Sequence, residues 1–60
     1  MNVLEMALLV GGEFGVSVDL CRMGGCYFVH VQGYDKADVI PGVYFGAAEL
    51  REVVSRIMGV

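Results

Sequence analysis

The chain has 60 residues, 57% hydrophobic and 18% charged, which excludes a disordered segment and leaves room for one domain, residues 1–60. Seven acids against four bases give a net charge of −3, which disfavours generic nucleic-acid binding, since that needs a dense stripe of Lys and Arg. A domain this small hides only about 60% of its unfolded surface, so a metal, a crosslink or a partner is expected to help it.

Residues 3–10 are apolar apart from Glu5. The run is too short to cross a membrane and no basic stretch precedes it, so neither a signal peptide nor a transmembrane span is expected. A cytoplasmic location and reduced Cys21 and Cys26 follow as expectations. Locally the segment has two readings. Asn2 with Glu5 three residues on resembles a helix N-cap with its N3 glutamate, and Met6, Ala7, Leu8 and Leu9 are good helix formers. Such a helix would be apolar on nearly every side, which a small domain cannot bury, so a strand is favoured.

Alternation then puts Phe14, Val16, Val18 and Leu20 on one face, against Gly15, Ser17, Asp19 and Cys21 on the other. Gly24-Gly25 accepts the positive φ angles of a type I′ turn, after which residues 26–32 alternate again. The resulting hairpin pairs Met23 with Cys26, Leu20 with Val29, Val18 with Val31 and Asp19 with His30. Val16, Val18, Leu20, Tyr27, Val29 and Val31 face the core, while Ser17, Asp19, His30 and Gln32 share the other side.

Residues 32–42 read as the longest loop, carrying Tyr34, Asp35, Lys36, Asp38 and Ile40 up to a turn at Pro41-Gly42. Val43-Tyr44-Phe45 suits a short strand, and Gly46 a loose N-cap. Leu50, Val53, Val54, Ile57 and Met58 then recur at helical spacing, with Glu49 near the start, Glu52 and Arg56 expected to form an i, i+4 pair, and Gly59 at the end. The expected fold is α+β: a four-stranded antiparallel sheet with one C-terminal helix on one face, β-β-β-β-α.

Few residues suggest chemistry. Cys21 and Cys26 with His30 fall short of the four ligands of a structural zinc site, and the two thiols read as small packing residues. Asp19 beside His30 could tune an imidazole, and Ser17 shares their face. Their placement makes no triad, and a cross-strand ion pair explains the pair without catalysis. Gly11-Gly12-Glu13-Phe14-Gly15 lacks the Lys-Ser/Thr ending of a phosphate loop. No catalytic residue, metal or cofactor is expected. One helix covers one side of a sheet, so surplus apolar area at Phe28, Cys21 and Cys26 suggests an interface, with another protein or with a second copy as a homodimer.

Four strands followed by a helix, with Gly42-Val43-Tyr44-Phe45 running into Ala48-Glu49-Leu50, resembles the transcriptional coactivator domains of the PC4 type. That likeness implies a homodimer binding single-stranded nucleic acid along its sheet, where this chain offers only Arg22 and Lys36. In size, acidity and lack of catalytic equipment the chain also resembles small phage-encoded inhibitors of the anti-CRISPR type. This second likeness implies a non-catalytic protein that occludes a nucleic-acid-handling host protein, its carboxylates standing where DNA phosphates would sit. The partner-binding residues would be Glu13, Tyr34, Asp35, Asp38, Glu49 and Glu52, acting on a basic protein surface.

Overall fold

The computed structural model describes residues 2–60 and has the order α1 (Val3–Phe14), β1 (Val18–Met23), β2 (Cys26–Val31), β3 (Ala37–Pro41), a 3-10 turn (Gly42–Tyr44) and α2 (Ala47–Met58). The expected four-stranded sheet with a single helix is therefore corrected. The sheet has three antiparallel strands in the order β1-β2-β3, and both helices pack on one of its faces.

The first segment is a helix rather than a strand. The Asn2 side chain accepts from the Glu5 N–H at 2.8 Å, and Gly15 ends the helix in the left-handed region. The objection that an all-round apolar helix needs an interior fails because this one is only half covered. Ala7, Val10 and Gly11 are buried, while Leu4 and Leu8 stay 69% exposed. The helix comes close to the chain that follows it at Gly11, whose carbonyl accepts from the Val16 N–H at 2.9 Å. A Cβ on Gly11 would sit 2.6 Å from the Val16 carbonyl oxygen, so only glycine permits the approach.

The hairpin forms in the expected register, from Met23↔Cys26 through Leu20↔Val29 and Asp19↔His30 to Val18↔Val31. Gly24 and Gly25 both take positive φ, as a type I′ turn requires. The Ser17 carbonyl accepts from the Gln32 N–H at 3.0 Å, so the odd-numbered residues of β1 bond β2.

The expected loop at residues 32–42 contains β3, which pairs its Ile40 with Tyr27, Val39 with Phe28 and Ala37 with His30. Its signal is weak for physical reasons: five residues, an acid at the second and a proline at the last, which suits only an edge strand. The expected strand at Val43-Tyr44-Phe45 is instead the 3-10 turn. That turn carries the chain from the sheet to the helix layer and leaves Phe45 stacked on Tyr27, ring centroids 4.2 Å apart.

The inward side chains of the sheet and the apolar stripes of the helices make one core of Val10, Val29, Val31, Ile40, Leu50, Val53, Val54 and Ile57. At α2 the stripe and the ends are as expected: Leu50, Val53, Val54 and Ile57 are buried, Gly46 is the N-cap, and Gly59 closes the helix in the left-handed region. The expected Glu52–Arg56 pair is not formed, Arg56 standing 3.8 Å from Asp38 instead. Arg51 on α2 clamps Glu13 on α1 through two hydrogen bonds of 2.7 and 3.0 Å, tying the helices together at their solvent side.

Candidate functional site

With both helices on one side, the other face of the sheet is bare. The register sets its side chains in three cross-strand rows: Asp19–His30–Ala37, Cys21–Phe28–Val39 and Met23–Cys26–Pro41. Two of the three rows are apolar. Phe28 is 42% exposed, Val39 44% and Met23 58%. The exposure does not come from loose folding, because the accessible surface of 3832 Å² matches the roughly 3,800 Å² expected of a compact chain of this mass. Phe28 and Val39 border a shallow hollow with Ala37 and Asp38. The polar end of the face is the Asp19–His30 pair, 3.9 Å apart and open to solvent. Cys21 and Cys26 are free thiols on this face, Cys21 exposed and Cys26 half-buried.

The six residues expected to bind a partner are scattered rather than gathered. Glu13 is engaged by Arg51, whose hydrogen bond holds the Glu13 carboxyl below the ordinary glutamate range and raises Arg51 in turn. Asp38 lies on β3 rather than in a loop. One of its oxygens is 3.8 Å from Arg56 on α2, and the other accepts from the Val39 N–H at 2.8 Å. Tyr34 is half-buried against the core, its N–H bonded to the Val31 carbonyl. Asp35, Glu49 and Glu52 remain exposed and take part in no ion pair among the described residues. Two of the five carboxylates, Glu13 and Asp38, thus have a basic partner, while Glu49 and Glu52 stand one turn apart on α2.

Sequence reasoning gave Phe28, Cys21 and Cys26 as surplus apolar area but missed Val39 and Met23 as their neighbours. The alternation of β3 would have supplied Val39 had the segment been read as a strand. Among the described residues no group of three or more His, Cys, Asp and Glu side chains could hold a metal, and no helix is long and apolar enough to cross a membrane. The four strands that carried the likeness to coactivator domains are three here, preceded by a helix. No protein-family model matches the chain, no curated protein matches its sequence and no solved structure matches its fold.

Proposed function

We propose that this chain is a small non-catalytic protein-binding domain of the inhibitor kind, which occupies a partner's surface through the bare face of its sheet. One observation carries the reading: Cys21, Met23, Phe28 and Val39 form a contiguous apolar patch on a rigid sheet, with polar Asp19 and His30 at its rim. An aromatic in the central row with apolar neighbours and a polar pair at one end is an arrangement that supports affinity at protein interfaces.

A second form of the same reading draws on charge. Asp35, Glu49 and Glu52 are exposed and in no ion pair among the described residues, and the net charge is −3. These acids suit a basic partner, such as a nucleic-acid-handling protein whose phosphate-binding surface the domain would cover.

Capture of a partner by wild type, Phe28→Asp and the triple variant Asp35→Lys/Glu49→Lys/Glu52→Lys separates the two. The patch reading expects Phe28→Asp to lose at least about tenfold in affinity, a loss equal to one well-packed contact, and the triple variant to bind nearly as wild type. Loss confined to the triple variant, with affinity that falls steeply as salt rises, favours the acidic form. Retention of single-stranded DNA by the wild-type chain contradicts both.

A further inference from the structure

The two edges of the sheet differ in a way that the bare face does not explain. Residues 17, 19, 21 and 23 bond β2, so the main-chain N–H and C=O groups of Val18, Leu20 and Arg22 point outward from β1. On the far side, the Gly42 N–H donates to the Gly25 carbonyl at 2.8 Å, which makes Ala37, Val39 and Pro41 the outward residues of β3. That second edge is blocked. Pro41 has no N–H, and the Val39 N–H is already taken by the Asp38 carboxylate at 2.8 Å. On β1, the longer strand, protection is confined to the entry, where the Gly11 carbonyl takes the Val16 N–H at 2.9 Å and Gly11 lies beside the Val18 amide. The strand carries neither proline nor bulge, and among the described residues the outward amides of Val18, Leu20 and Arg22 have no hydrogen-bond partner.

The helix layer above this open edge is apolar as well. Leu4 and Leu8, one helical turn apart and each 69% exposed, flank α1 on the side toward β1, where Val3, Leu4, Ala7, Val18, Asp19 and Leu20 line a hollow. Glu13, which engages α2, lies on the opposite flank.

We infer that the occupant of the β1 edge is a second copy of this chain, paired antiparallel about a two-fold axis at Leu20 to give a continuous six-stranded sheet. The strand is its own complement in that register. Leu20 meets Leu20 of the other copy, Val18 meets Arg22 and Arg22 meets Val18, so every outward residue of both strands is satisfied by about six main-chain hydrogen bonds. Asp19 then stands opposite Cys21. Moving the axis to Asp19 would set two carboxylates face to face, and moving it to Cys21 would leave Val18 without a partner. The same axis brings the Leu4 and Leu8 flanks of the two copies together above the paired strands.

The size of the flank sets the strength. A six-residue strand is about 20 Å long, and strand plus helix layers are about 20 Å deep. This gives roughly 400 Å² per copy, about 800 Å² in all, below the ~1,200 Å² of a stable specific interface and in the range of weak, transient ones. The dimer is therefore weak and concentration-dependent. It leaves the bare face of the sheet free and does not depend on what binds there.

Sedimentation equilibrium of the full chain from about 10 μM to about 1 mM, the range of weak dimers, is expected to show the mass doubling. Leu4→Lys/Leu8→Lys changes only exposed side chains and is expected to stay monomeric with an unchanged circular dichroism spectrum. A synthetic chain with an N-methyl group on the Leu20 amide, which leaves every bond to β2 in place, is expected to do the same. N-methylation of Val39, on the blocked edge, is expected to leave the dimer intact. Asp19→Cys places a thiol opposite Cys21 of the other copy, in a non-hydrogen-bonded pair about 4.5 Å apart at Cα, within the span that a disulfide bridges. Mild oxidation should crosslink that variant, and adding Cys21→Ser should abolish the crosslink.

A wild-type chain that stays monomeric throughout overturns the inference. So does a dimer that N-methyl Leu20 leaves untouched, which would place the contact on another surface. A persisting dimer that Asp19→Cys cannot crosslink overturns the Leu20-centred pairing. A monomer whose edge captures some other extended peptide, with capture lost on N-methylation of Leu20, assigns the edge to a different partner.

Discussion

The two faces of the sheet come from the same alternation of side chains and end in opposite states. One carries Val29, Val31 and Ile40, all buried beneath the helices, and the other carries Phe28, Val39 and Met23, all in solvent. Hydrophobicity does not separate them, since both rows are apolar. The separation comes from the number of helices and where they lie. Two 12-residue helices can tile one face of a three-stranded sheet, and nothing in 60 residues remains to tile the other. An apolar face left by that geometry is what the proposed protein-binding role rests on.

The sharpest way to break this contrast is to truncate one residue on each side. Leu50→Ala removes a fully buried side chain and is expected to cost about 2–5 kcal/mol, enough to leave a domain this small mostly unfolded in water. Phe28→Ala on the bare face is expected to cost about 1 kcal/mol or less. Urea titrations followed by circular dichroism compare them directly, and equal losses would mean that the two faces are not distinct.

The covered face also depends on how closely α1 approaches the chain entering β1. Helix propensity alone favours Ala over Gly by about 1 kcal/mol. At Gly11 the added methyl would meet the Val16 carbonyl at 2.6 Å, so Gly11→Ala is expected to destabilise by about 1–3 kcal/mol. At Gly12 nothing lies within 4 Å of the added atom, and Gly12→Ala is expected to stabilise by about 0.5–1 kcal/mol. Opposite signs at adjacent positions in the same assay would confirm the approach, and matching signs would refute it.

A smaller change tests what starts the helix. Asn2→Ala deletes the side chain that caps the Glu5 N–H and is expected to cost about 0.5–1 kcal/mol, seen as a lower midpoint with an unchanged spectrum at low denaturant.

The smallest effect concerns acid. The Glu13 carboxyl is held below its unfolded value by Arg51, so its contribution is fully present above about pH 4.3 and fades as pH falls through the depressed folded value. Glu13→Gln should therefore lower stability slightly at neutral pH and flatten the acid limb of the stability profile. Both residues are exposed, so salt should weaken the effect.

How much of this was legible depends on where the signal sits. The hairpin register and α2 could be read because a Gly-Gly turn and a stripe of five apolar residues each admit one geometry. The helix α1 carried its evidence in Asn2 and Glu5, but the argument that an apolar helix must be buried outweighed it, and Leu4 and Leu8 show that a flank can stay open. The strand β3 was hidden because Asp38 and Pro41 weaken strand propensity, and those same two residues are what block that edge. The acids were legible as charges but not as partners: the bonds from Arg51 to Glu13 and from Arg56 toward Asp38 join helices to elements far away in sequence, and no local pattern announces them.

The central claim, that the bare sheet face meets a protein partner, is tested most directly by a photo-crosslinking side chain placed at position 28 and, separately, at position 52 on the outer side of α2, in the cells that make the chain. A single defined protein adduct from position 28 and none from position 52 is the expected result. Adducts from position 52 alone, or none beyond background from position 28, would contradict it.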